Sequence, residues 1–168
     1  NTAVAFHDGK LLAGWYMCGD LYEIDPITLE TKGIQDYNGT FTSKAMAHVK
    51  VDEQTNEMMF FDYELTGSYL AYGVVNGNGA VKHFTKVPTP GPRIPHDMGI
   101  TKQYSILMDL PLIYDLNRMM KTGRAVPVFR KDLPSRFGVI PRMGHANEVK
   151  WFEAKPCYIY HTINCWEE

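Results

Sequence analysis

Tyr69-Leu-Ala-Tyr-Gly-Val-Val75, Asn76-Gly-Asn-Gly79 and Ala80-Val-Lys-His-Phe-Thr-Lys86 follow one another without a gap, and their reading decides the fold. Two runs rich in aromatic and β-branched residues flank a cluster of Asn and Gly, residues that tolerate positive φ, so the stretch predicts two strands and a tight turn. Glu57–Tyr63, just upstream, is a third run of the same kind. Working outward, strands are expected at Ala3–His7, Lys10–Trp15, Asp20–Ile24, Tyr104–Leu110 and Tyr158–Ile163. Their connectors are chemically explicit: His7-Asp8-Gly9-Lys10 reads as a hairpin and Asp25-Pro26 as a turn initiator. Hairpins that follow hairpins predict an all-β chain of antiparallel meanders, the way a propeller blade reads. No WD or kelch signature is present, and on composition alone a propeller and a two-sheet sandwich are equally open.

Two stretches break the pattern. Val87–Pro95 holds four of the ten prolines and must be an extended connector, because proline fixes φ and donates nothing to a ladder. Leu112–Gly123 places Ile113, Leu116, Met119 and Met120 at helical spacing ahead of a glycine stop, which predicts a short helix in an inserted loop.

With 45% hydrophobic and 21% charged residues over 168 positions, the chain can bury a substantial core. Seventeen Lys and Arg against 19 Asp and Glu, with no basic block, exclude the electrostatic footprint of a nucleic-acid binder. Apolar runs such as that around Ser105–Pro111 are far too short to span a bilayer, and no signal-peptide pattern opens the chain, so a soluble protein is expected. Cys18, Cys157 and Cys165 make neither a disulfide framework nor a zinc motif, which points to a reducing, cytoplasmic setting. An opening Asn1 and an end on Trp166-Glu-Glu168, without capping signals, read as a piece of a longer protein.

Three of the six histidines sit beside β-type runs with small or apolar neighbours: Ala47-His48-Val-Lys-Val51, Pro95-His96-Asp-Met-Gly-Ile-Thr101 and Tyr160-His161-Thr-Ile-Asn-Cys165. If each blade contributes one histidine from its inner strand, all three point at the propeller axis. Converging neutral imidazoles make a metal site, and nitrogen-only ligation suits Fe, Zn, Cu or Ni. Any one of them alone reads more readily as a buried histidine bonded to backbone; the shared context is the argument for a metal site. His7, His83 and His145 read instead as turn or surface residues. No nucleophile elbow surrounds Ser105 or Ser135, and no Gly-rich phosphate loop precedes a helix.

Six segments in order carry a family resemblance: Asn1-Thr-Ala-Val-Ala-Phe-His-Asp-Gly-Lys-Leu-Leu-Ala13, Tyr22-Glu-Ile-Asp-Pro-Ile-Thr-Leu-Glu-Thr31, Ala47-His-Val-Lys-Val-Asp52, His96-Asp-Met-Gly-Ile-Thr101, Asp109-Leu-Pro-Leu112, and Trp151-Phe-Glu-Ala154 through His161-Thr-Ile-Asn-Cys-Trp-Glu-Glu168. The chain resembles, from end to end, the carotenoid cleavage oxygenases, which include apocarotenoid oxygenases, stilbene-cleaving dioxygenases and the retinal pigment epithelium isomerase. The resemblance implies that residues 1–168 are an interior fragment of a seven-bladed β-propeller with a short helical loop insertion. It implies a non-haem Fe(II) on four histidines, with His48, His96 and His161 as the first three and the fourth outside this chain. The chemistry implied is insertion of both atoms of O2 across a conjugated double bond of a lipophilic polyene, giving two carbonyl products. Tyr114, Met119 and Met120 on the inserted loop then stand at the mouth of a substrate tunnel or on a patch making peripheral contact with a membrane; equally, they simply cap the propeller.

The chain departs from the family pattern at one place that matters. Family members generally carry a glutamate after the Leu-Leu-Ala run that orients a ligand histidine, and here the run continues Gly14-Trp15-Tyr16-Met17-Cys18, with no carboxylate whether Tyr16 or Met17 occupies the position. Val49 replaces the proline that usually follows the first ligand. Stilbene-cleaving relatives place a lysine where Trp15 stands, which favours an apolar, carotenoid-like substrate. The competing readings are a stilbene-cleaving dioxygenase, a non-catalytic propeller that binds a lipophilic ligand or partner, and a merely structural β-rich piece.

Overall fold

In the computed structural model, which describes residues 3–17 and 19–168, consecutive strands pair into antiparallel meanders. The first sheet is β1 (Ala3–His7), β2 (Lys10–Gly14), β3 (Tyr22–Ile24) and β4 (Thr31–Ile34), in that order. The second is β5 (Lys50–Asp52), β6 (Glu57–Tyr63), β7 (Tyr69–Val75) and β8 (Val81–Pro88). The third begins with β9 (Gly99–Ile100) and β10 (Tyr104–Asp109). The chain then leaves it for a hairpin of β11 (Leu112–Tyr114) and β12 (Pro127–Phe129), with α1 (Leu116–Thr122) between them, and returns as β13 (Ser135–Pro141) and β14 (Lys150–Ala154). Among the described residues no helix is long and apolar enough to cross a membrane.

Local chemistry sets the turns. Asp8 and Gly9 both have positive φ, 50° and 72°, the two-residue turn whose twist matches the flanking strands. The Asn76 side-chain oxygen accepts from the Ala80 N–H at 2.8 Å, and the Asp25 carboxylate accepts from the N–H groups of Ile27 and Thr28, each at 2.9 Å. Asp115 caps α1 by accepting from the Arg118 N–H, and Gly123 ends it in the left-handed region at φ 65°.

The middle sheet is covered on both faces, which explains why β6 and β7 are nearly continuous apolar runs. Met58, Phe60 and Val75 face the first sheet and pack with Leu12, Leu21, Tyr37, Phe41 and Ala45. Met59, Phe61, Leu70, Tyr72 and Val74 face the third and pack with Met98, Leu107 and Ile140. Side chains alternate across a strand, so one run feeds two cores. A sandwich has one core between two sheets; here three meanders stack side by side around two cores, the repetition of propeller blades. Gly73 is part of the fit, because a Cβ there would fall 2.4 Å from the Phe60 ring.

The structure corrects several expectations. Tyr158–Ile163 is not a strand: no ladder partner pairs with it among the described residues, and the groups it offers go to isolated acceptors, such as Ile94 O for the Tyr158 hydroxyl at 2.8 Å. The helix is shorter than the spacing predicts, since Ile113 belongs to β11 and α1 buries no side chain. His7 is fully buried rather than at the surface. Its Nε2–H donates to Asn56 O at 2.9 Å, and its Nδ1 accepts from the Tyr37 hydroxyl at 2.6 Å, tying β1 to the turn between β5 and β6. Burial holds this imidazole below its ordinary pKa. Tyr37→Phe strands the buried Nδ1 acceptor, and an unsatisfied buried polar group costs about 1–3 kcal/mol. A drop of that size in the urea unfolding free energy is the expected result; an unchanged midpoint would contradict the assigned role.

Candidate metal centre

His48 lies two residues before β5 and His96 three residues before β9, so equivalent positions at the head of two sheets carry them. His161 lies on the irregular segment after β14. The Nε2 atoms of His48 and His96 are 3.2 Å apart, and one ring nitrogen from each of the three imidazoles lies within 4.8 Å of the others. Ring centroids are 4.8 Å apart for His48 and His96, 4.7 Å for His48 and His161, and 5.2 Å for His96 and His161.

The donor set fits a metal ion. Imidazole nitrogens bound to one ion at about 2.0–2.1 Å stand about 3 Å apart at right angles and about 3.4 Å apart in a tetrahedron, which brackets the observed 3.2 Å. A hydrogen bond between two imidazoles also spans this distance, but it gives no reason for a third ring at the same point. Burial is the largest influence on His48 and His96 and holds both below the ordinary imidazole pKa; neighbouring imidazoles push the same way and Asp97 opposes. At neutral pH both are therefore in the neutral form that ligates.

Aromatic groups and a pinned connector frame the cluster. The Tyr160 ring meets His96 edge-on at 5.2 Å, and Tyr158 packs against Tyr160 at 5.1 Å. The connector that delivers His96 is held by Thr89 N–H to Ser68 O at 2.9 Å, by Ile94 N–H to Leu112 O at 3.2 Å, and by Arg93 on Asp109.

Sequence reasoning passed over Asp97. Its side chain is 1% exposed, and its carboxylate accepts from the Lys50 ammonium, the Met98 N–H, and both the N–H and the hydroxyl of Thr162. Burial opposes its ionisation, but Lys50 and the Thr162 and Met98 N–H groups outweigh that and keep the carboxyl below its ordinary pKa. The one signal available was a carboxylate placed directly after His96, with apolar neighbours on either side of the pair.

The remaining candidates lie elsewhere. The His83 Nε2–H donates to Gly144 O at 2.9 Å, which leaves that ring half-buried rather than at the surface, and it packs 5.7 Å from exposed His145. Cys157 and Cys165 are free thiols, and Cys18 lies outside the described residues. Tyr16 sits near enough to Tyr114 to add to the effect of burial in raising that phenol's pKa. On the inserted loop Tyr114 is buried, Met119 half-buried and Met120 78% exposed, so only the last presents a full apolar side chain outward.

Comparison with known proteins bears on all of this. The retinal pigment epithelial membrane protein family model matches residues 1–168. The chain is 37% identical over 174 residues to a carotenoid 9,10(9',10')-cleavage dioxygenase of Crocus sativus, covering 100% of this chain and 31% of that protein. It is 37% identical over 172 residues to an isoeugenol monooxygenase of Pseudomonas putida, covering 100% of this chain and 36% of that one. Among solved structures, the lignostilbene dioxygenase of Pseudomonas brassicacearum superposes with a TM-score of 0.81 at 31% identity, over 91% of this chain and 32% of that one. A Synechocystis ACO mutant superposes with a TM-score of 0.82 over 100% of this chain and 37% of that one, and at 22% identity it speaks to the fold alone. The chain thus spans about a third of the length of the relatives it matches.

Proposed function

We propose, for a chain that belongs to the retinal pigment epithelial membrane protein family, the carotenoid cleavage oxygenases, that the complete protein is a non-haem iron dioxygenase cleaving a conjugated double bond of a carotenoid, apocarotenoid or related polyene. The observation that carries this reading is the convergence of three imidazoles, from three separate segments, on one point. Residues 1–168 form part of one seven-bladed propeller domain; His48, His96 and His161 hold the iron, and a fourth imidazole comes from polypeptide outside these residues.

Bound Fe(II) supplies open coordination positions for O2 beside an electron-rich alkene. Atoms balance without a further reductant: one alkene and one O2 give two carbonyl compounds. The chain's own residues contribute the rest. Neutral His48 and His96 leave the charge of the ion uncancelled, and Tyr158 and Tyr160 present aromatic surface beside His96 that limits water around an apolar substrate. Trp15 offers no ammonium to a phenol, which favours a polyene. Met120 on α1 provides a point of peripheral contact with a membrane carrying such a substrate, and the free thiols suit the cytoplasm. A second reading, cleavage of a phenolic stilbene or phenylpropene, draws on the likeness to lignostilbene dioxygenase and isoeugenol monooxygenase.

The full-length protein, purified anaerobically and assayed for iron, is expected to bleach an apocarotenoid only when O2 is admitted. Cleavage of a hydroxystilbene with no attack on the polyene would favour the second reading. Iron-free protein that binds the apocarotenoid and consumes no O2 would make it a non-catalytic propeller.

A further inference from the structure

We propose that Asp97 is the positioning residue of the three-histidine centre, its buried carboxylate clamping together the segments that carry His48, His96 and His161. The inference rests on the metal-centre reading above and specifies what holds that centre in shape. Each histidine has a clamp member beside it in sequence. Lys50 follows His48 by two residues, Asp97 follows His96 directly, and Thr162 follows His161 directly. Asp97 Oδ1 takes the Lys50 ammonium at 2.7 Å and the Met98 N–H at 2.8 Å. Oδ2 takes the Thr162 N–H at 2.8 Å and the Thr162 hydroxyl at 2.9 Å. The Thr162 hydroxyl also lies 3.1 Å from Met98 O, which binds the third segment to the second again.

Four donors occupy both carboxylate oxygens, so Asp97 has no acceptor capacity left for a metal ion and is not itself a ligand. Its effect is geometric. His161 lies on a segment with no strand pairing to place it, and the two bonds from Thr162 to Asp97 register the residue next to it against the head of β9. Without the clamp, an arriving ion must gather three independent segments and oppose their conformational entropy; with it, the donors are already assembled. Groups that orient ligands contribute typically about 10- to 100-fold in metal affinity.

The test uses the full-length protein and Co(II) alone as probe, read by chelator competition and by the visible ligand-field spectrum, with thermal melts as the control for folding. Asp97→Ala is expected to weaken Co(II) binding about 10- to 100-fold and to shift the ligand-field bands. Thr162→Val, which removes the hydroxyl donor and keeps the N–H, should move both readouts in the same direction, while Thr162→Ser, which keeps the hydroxyl, should leave them at the parent's values. A purely structural role would lower the melting temperature and leave the spectrum of the bound ion alone, and that result would overturn the proposal. Should Asp97→Ala fail to fold, Thr162→Val decides: parental affinity and spectrum there would refute the clamp. A parent protein that takes up no Co(II) would remove the metal centre and the clamp with it, an outcome distinct from a metal-binding parent whose variants are unchanged.

Discussion

Replacing His96 by alanine in the full-length protein is expected to abolish stoichiometric iron binding and, with it, O2-dependent polyene cleavage. Its Nε2 lies 3.2 Å from that of His48 and its ring 5.2 Å from that of His161, so it stands at the point where the three imidazoles meet. Tetrahedral zinc sites with four protein ligands have apparent binding free energies of about 10–16 kcal/mol, so an even division assigns each ligand about 3 kcal/mol. That corresponds to at least about 100-fold in affinity. The neighbouring carboxylate of Asp97 offers no substitute, since its oxygens are already taken by four donors. His48→Ala and His161→Ala should behave alike, and His145→Ala, in an exposed loop, should keep its iron. Iron per polypeptide, measured beside the loss of polyene absorbance, checks the set. Full iron content and cleavage in the His96→Ala protein would eliminate the proposed ligands.

The second large effect is on stability. Asp109, 1% exposed at the end of β10, faces two guanidinium groups: Arg93 from the connector and Arg136 from β13, the latter also stacked over Trp151 at 4.4 Å. Asp109→Ala leaves two largely buried cations without their anion. Breaking a buried pair by removing one partner typically costs about 3–5 kcal/mol, far more than an exposed pair contributes. A loss of that size in the unfolding free energy of the full-length protein is expected from denaturant titration. Asp109→Asn, which keeps the shape and one acceptor oxygen, should lose less. An Asp109→Ala protein within about 0.5 kcal/mol of the parent would show that the two arginines find water instead.

The sequence by itself determined the hairpins, because a turn's chemistry is local. Asp8-Gly9 needs only its own positive φ values, and Asn76 and Asp25 bond their own neighbouring backbone. It also determined β6 and β7, whose apolar runs have no exit but a core on each side. The outer strands β4 and β14 were not legible, since edge positions carry exposed, mixed residues that resemble a loop. Tyr158–Ile163 misled in the opposite sense: β-forming residues make a strand only where a neighbouring backbone completes the ladder.

The three histidines were legible as a set through their matching contexts, and the family resemblance singled out the same residues. That their nitrogens meet within 4.8 Å is a property of the folded chain. Only the tertiary structure revealed that His7 is buried in the first core and that Asp97 holds three segments together. A sequence window registers what a side chain is, whereas burial and charge pairing depend on groups far along the chain, which only the stacked sheets bring into contact.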